Sequence, residues 1–204
     1  MRKNRLQADV TPHEAGGTAC PTAERVAPAV VQAVPPALPD SSAVSEEATR
    51  LVTSILEDYA SRGVFRGFSA GPSKDCTTLF RMVWHHDRRF ELLLDARKKT
   101  LCFPALLPAV PRNSAMYRDL KAFIETRHSE DLPAHRRVDA AKARLRGGNR
   151  GSNFSLTIIV IGGDFEYAAR QLIHTVHEIF LTFLVDGPYY EYMVEHLGLE
   201  QDKY

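Results

Sequence analysis

The run FSLTIIVIGGDFEYAARQLIHTVHEIFLTF, residues 154–183, decides the fold. Side chains alternate across an extended chain, so Phe154, Leu156, Ile158 and Val160 point one way. Ile159 and Ile161 point the other way, which predicts a strand covered on both faces. From Phe165 the period changes. Phe165, Ala169, Leu172, Ile173, Val176, Ile179, Phe180 and Phe183 fall on one arc of a helix, with Glu166, Arg170, His174 and Glu178 opposite. Gly162 and Gly163 make the turn between strand and helix, and Asp164 is positioned as the cap.

Upstream, the stretch Arg136 to Arg146 alternates Ala141, Ala143 and Leu145 against Lys142, Arg144 and Arg146, the pattern of a strand wet on one face. Gly147 to Ser152 reads as the hairpin loop joining it to Phe154. Asn113 or Ser114 caps a helix striped by Met116, Leu120, Phe123 and Ile124, which ends before Pro133. Pro104, Pro108 and Pro111 stiffen the connector before it. Thr77 to Trp84 and Arg89 to Asp95 form a hairpin turning through His85, His86, Asp87 and Arg88, and a third strand, Thr100 to Phe103, ends at Pro104. The first helix is capped by Ser45, carries Glu46 and Glu47 in its first turn, and buries Ala48, Leu51, Val52, Ile55, Leu56 and Tyr59 before Gly63 stops it. Downstream, Asp186 and Gly187 break the closing helix, and Pro188 opens a short helix through Leu197 that Gly198 ends. The expected fold is α+β in the order α-βββ-α-ββ-α, a mainly antiparallel sheet packed by helices.

At 204 residues, 44% hydrophobic and 25% charged, the chain has the size of one domain. Residues 1–42 hold half of the 12 prolines and no Phe, Tyr or Trp, a composition that predicts a disordered leader, with the domain spanning 43–204. A formal charge of +1 supplies no global field toward nucleic acid or anionic lipid. Cys20, Cys76 and Cys102 are scattered and form no disulfide framework or close metal-binding pair. Asp9, His13 and Glu14 interrupt the place of a signal-peptide core, and no apolar stretch is long enough to span a bilayer. These features point to a cytoplasmic protein without a membrane partner.

The order helix, three strands, helix, two strands, helix over roughly Ser45 to Leu197 resembles the type III secretion chaperone-like fold, which includes a family of small bacterial stress-related regulators. The resemblance rests on the order and lengths of the elements. It implies a non-enzymatic homodimer that holds an extended segment of another protein against its sheet and helices, with no cofactor. Apolar residues in both phases of the strands agree with this: Leu79 and Val83 against Phe80, Met82 and Trp84, and Leu93 against Leu92 and Leu94. That surplus needs helices on both faces, a second subunit, or a peptide added along an edge.

Several clusters invite a sharper chemistry. His174, His177 and Glu178 sit on neighbouring turns and could supply part of a metal site, the basis of an alternative as a metal-dependent enzyme. Their order is not that of zinc proteases, and a solvated helix face is the preferred explanation. His85, His86 and Asp87 fill a turn that asks for polar residues. Arg136, Lys142, Arg144 and Arg146, with Arg137 and Arg150, form a basic patch on the expected strand 136–150, the basis of a nucleic-acid-binding alternative; no aromatic interleaving accompanies it. Gly147 to Gly151 lacks the Lys and Ser or Thr of a phosphate-binding loop. No Gly-x-Ser-x-Gly elbow occurs, and Cys76 and Cys102 read as small buried apolar residues. Tyr189, Tyr190, Tyr192 and Met193 form a rigid amphipathic surface and are the expected partner-binding residues.

Overall fold

The computed structural model describes residues 41–199. The leader lies outside the described residues except for Ser41 and Ser42, which open helix α1 (Ser41–Ser61). Ser45 is therefore not a cap. It sits a turn inside α1 at 7% exposure, because no residue after Pro39 stops the helix from running back to Ser41. Ala48, Val52, Ile55, Leu56 and Tyr59 are buried, whereas Leu51 falls outside the seam and is exposed.

Six strands form one antiparallel sheet: β1 (Arg66–Ala70), β2 (Thr77–Trp84), β3 (Arg88–Asp95), β4 (Thr100–Leu107), β5 (Ala143–Arg150) and β6 (Asn153–Val160), in the spatial order β1-β2-β3-β4-β6-β5. After β4 the chain passes through α2 (Ala115–Thr126), enters at the far edge as β5, and returns beside β4 as β6. The α+β class stands, with β1 added as a short edge strand. The third expected strand continues through Pro104 to Leu107, because a bulge between Phe103 and Leu107 lets a residue without an N–H sit in the ladder.

The largest change concerns residues 136–152. Strand β5 begins at Ala143, not Arg136, because the amides of Lys142 and Ala143 donate to the Asp139 carbonyl and that of Ala141 to its carboxylate, which folds 139–142 into a turn. Gly147 and Gly148 are strand residues rather than loop. A Cβ on Gly147 would stand 2.8 Å from the Phe154 ring and one on Gly148 2.7 Å from Ser155 Oγ, so glycine permits close pairing with β6. The turn itself is Gly151 and Ser152, both with positive φ.

Helix α2 starts at Ser114, whose Oγ accepts from the Tyr117 amide, and α3 (Phe165–Glu178) starts at Asp164, whose carboxylate accepts from the Tyr167 amide. Beyond Glu178 the helix widens into one π-helical turn, Ile179–Phe183, continues as α4 (Leu184–Asp186), and after a break gives α5 (Tyr190–Leu197), closed by Gly198 in the left-handed conformation. The wider turn rotates the following side chains, so that Phe180 lies against the β2–β3 turn and Phe183 between Phe123 and Tyr189.

Phe80, Met82, Phe90, Leu92, Leu94, Leu101, Phe103, Leu145, Phe154, Leu156 and Ile158 share one face of the sheet and are buried with the inward residues of α1, α2 and α3. Each such side chain contributes about 1.5–3 kcal/mol by leaving water. The opposite face is different. Leu79 pairs with Leu93, Leu93 with Cys102, and Thr100 with Ile159, and Leu79, Val83, Leu93 and Ile159 remain half-exposed between Arg81, Arg89, Arg144 and Arg146. The expected cover on both faces of β6 is thus absent among the described residues, and Ile161, beyond the strand, is exposed.

Candidate functional site

The β2–β3 turn spans the three residues His85 to Asp87 between the paired Trp84 and Arg88, with His86 and Asp87 both at φ 54° in the left-handed region. It carries His85 inward onto Phe180, the rings parallel within 6° at 4.2 Å. His85 also lies 4.4 Å from the Trp84 ring and 5.2 Å from His177, and Trp84 and His177 stack at 6.1 Å. Burial, reinforced by the neighbouring His177 and His86, pushes the His85 pKa down to about 3, so this imidazole is neutral at pH 7. Its Nε2 is buried without a hydrogen-bond partner. Burial first, and His174 second, also lower the pKa of His177. Asp87 is ion-paired with Arg66.

Glu178 is not on a solvated face. Arg127 Nη1 donates to its Oε2 at 2.6 Å and Arg136 Nε to its Oε1 at 2.6 Å. The Arg127 side chain is 6% exposed and its guanidinium lies 4.2 Å over the Phe123 ring. Both carboxylate oxygens are therefore engaged by cations. His174, His177 and Glu178 do share one wall, yet they do not converge as ligands, and no group of three or more His, Cys, Asp or Glu suited to a metal occurs among the described residues.

Around these residues run three adjoining hollows. The first, about 430 Å³, is bounded by Tyr59, Trp84, His135, Arg136, His174 and His177. Trp84 and His177 also border the second, about 370 Å³, at the hairpin turn. His85, His86 and Leu181 connect that one to a third, about 340 Å³, beside Phe180, Val185 and Tyr190. Together they make one groove from α1 to α5. The only carboxylates on it, among the described residues, are Asp87 and Glu178, each already paired with arginine.

The expected partner residues divide. Tyr189 is buried and donates to Asp119 at 2.5 Å, and Tyr192 is half-buried and donates to the Pro108 carbonyl at 2.8 Å. Burial raises the pKa of both phenols. Met193 is core, so only Tyr190 presents its ring, 46% exposed beside Leu181 at 55% and Val185 at 59%. The two latter residues, four apart on the outer side of the π turn and α4, were missed because the helical arc assigned them to no surface.

The basic patch also divides. Arg136 is engaged by Glu178, and Lys142 pairs with Asp164 at 3.3 Å and lies over the Tyr167 ring. Arg144 and Arg146 remain exposed on the outer face of β5. Cys102 is buried and accepts a contact from Thr157 Oγ1, while Cys76 is half-buried. Trp84, His135, Arg127 and Tyr59 complete the site and carried no sequence signal, since each comes from a different element.

No helix among the described residues is long and apolar enough to cross a membrane. The chain matches no family model, no curated protein and no solved structure.

Proposed function

We propose that the chain is a non-enzymatic protein-binding domain of chaperone-like or regulatory type, working in the cytoplasm, which receives an extended segment of a partner protein in the groove between the β2–β3 turn and α3–α5. The observation that carries this reading is the groove's open apolar end. Leu181, Val185 and Tyr190 are the most exposed large apolar residues of that region, and they continue into a trough floored by Trp84, His177 and Phe180.

Addition of a strand along a sheet edge is less well supported. The outward amide of Leu145 on β5 donates to His128 Nε2 at 3.2 Å, and β1 is five residues long with an irregular register near Gly67. The resemblance of the element order to type III secretion chaperones supports the same class of function. A photo-crosslinking amino acid placed at Leu181 should capture a partner other than the chain itself in host extract, and the same group at Arg144, on the opposite face, should capture nothing but a second copy of the chain. Equal capture at both positions would refute the reading.

The homodimer has its own support in the half-exposed row Leu79, Val83, Leu93 and Ile159, which is apolar in its middle and charged at its rim. Light scattering should give twice the chain mass, and Leu93→Asp should return the monomer. A monomeric wild type would remove this part of the proposal.

A further inference from the structure

The groove is electrostatically one-sided. Facing it are the guanidiniums of Arg66 and Arg136 and the carboxylates of Asp87 and Glu178, and the imidazoles of His86, His135, His174 and His177 line it beside the neutral His85. Asp87 is matched by Arg66. Glu178 is matched twice, by Arg127 from behind and by Arg136 from the rim, which leaves one positive charge in excess.

Arg136 engages Glu178 through Nε alone. Its two terminal nitrogens make no hydrogen bond among the described residues, and its side chain is 38% exposed. Held by one edge, the guanidinium presents its other donors to whatever enters the first hollow, with Gln171 and His174 beside it. On the wall shared by the first and second hollows, the exposed His177 ring stacks on the buried Trp84, their planes within 15°.

Resting on the protein-binding reading, we infer that the segment received there is acidic and carries an aromatic side chain: its carboxylates meet the free end of Arg136 and the His174 and His135 edges, while its ring packs against the His177 ring stacked on Trp84. A lysine-rich segment would set cations against cations with no free carboxylate to answer them. A wholly apolar segment would strip water from the terminal nitrogens of Arg136 and return no acceptor. The chain's total charge of +1 makes this a local selection rather than a general attraction for anions.

The test uses the full chain and three fluorescein-labelled ten-residue peptides with the same Phe and Leu positions, the intervening residues being Glu and Asp, Ser and Gln, or Lys. Binding is read by anisotropy and by emission of Trp84, the only tryptophan. The acidic peptide should bind at least ten-fold more tightly than the neutral one, the lysine peptide should not bind, and Trp84 should be quenched. Arg136→Gln and His174→Gln should each erase most of the acidic preference, and Arg144→Gln, on the outer sheet face, should leave it intact.

If the neutral peptide binds as well as the acidic one with Trp84 quenched, the groove reading survives and the acidic preference is overturned. The same holds if acidic binding quenches Trp84 but is indifferent to both Arg136→Gln and His174→Gln. Should acidic binding depend on Arg144 and leave Trp84 unchanged, the site is the outer face of β5, and both the inference and the groove reading fail. If no peptide binds, both fail together.

Discussion

Replacing Glu178 by alanine should destabilise the fold by about 3–5 kcal/mol, because it strands the Arg127 guanidinium at 6% exposure without a counter-charge. Arg127 Nε is already buried without a partner, so the site has no spare acceptor to take up the loss. The two arms of the cluster are unequal. Arg136 is 38% exposed and can be rehydrated, so Arg136→Ala should cost about 1 kcal/mol or less. Removing both charges of the inner pair, as Arg127→Met with Glu178→Leu, should recover most of the loss, since apolar replacements leave no stranded ion. The double variant should therefore cost about 2 kcal/mol or more less than Glu178→Ala alone. Urea unfolding followed by Trp84 emission measures all four proteins, with the slopes compared to confirm that the transition is unchanged in kind. A Glu178→Ala cost no larger than that of Arg136→Ala would refute the claim that Arg127 depends on this carboxylate.

Acid should weaken the fold through His85. Its folded pKa is depressed to about 3 while the unfolded imidazole titrates near about 6.5, so this contribution is complete above the unfolded value and is lost as pH falls toward the folded one. The unscreened limit at pH 5 is about 2 kcal/mol, which solvent access to the part-exposed ring reduces to about 1 kcal/mol. His85→Phe, which keeps the stack on Phe180, should show a smaller loss between pH 7 and 5 in chemical denaturation, and an identical loss would contradict the assignment. Gly147→Ala should destabilise by about 1–3 kcal/mol, because the added methyl meets the Phe154 ring at 2.8 Å. A thermal midpoint equal to that of the wild type would show that β5 and β6 part easily.

What the sequence determined by itself was the apolar periodicity of the elements and the caps at Ser114, Asp164 and Gly198. The alternation of Phe154, Leu156, Ile158 and Val160 and the arc from Phe165 to Phe180 are periodic signals that need no knowledge of the partner surface, and they correspond to β6 and α3. Ser114, Asp164 and Gly198 act where they stand, because a cap satisfies amides or carbonyls within its own turn. The tertiary structure decided what each polar face meets. Glu178 lies on the helix face opposite the core arc, as its spacing requires, but the loop after α2 passes over it and delivers Arg127 and Arg136 from 51 and 42 residues away. The same passage withdrew Arg136 from the basic strand, whereas the turn at 139–142 is local, made by amides donating to Asp139, and the alternation of the stretch hid it. Burial of Tyr189, Tyr192 and Met193, against exposure of Tyr190, followed from where α5 docks, which no local spacing records. Periodicity reports which side of an element is apolar. Only the path of the remaining chain fixes which charges on the other side are left to water and which are bound.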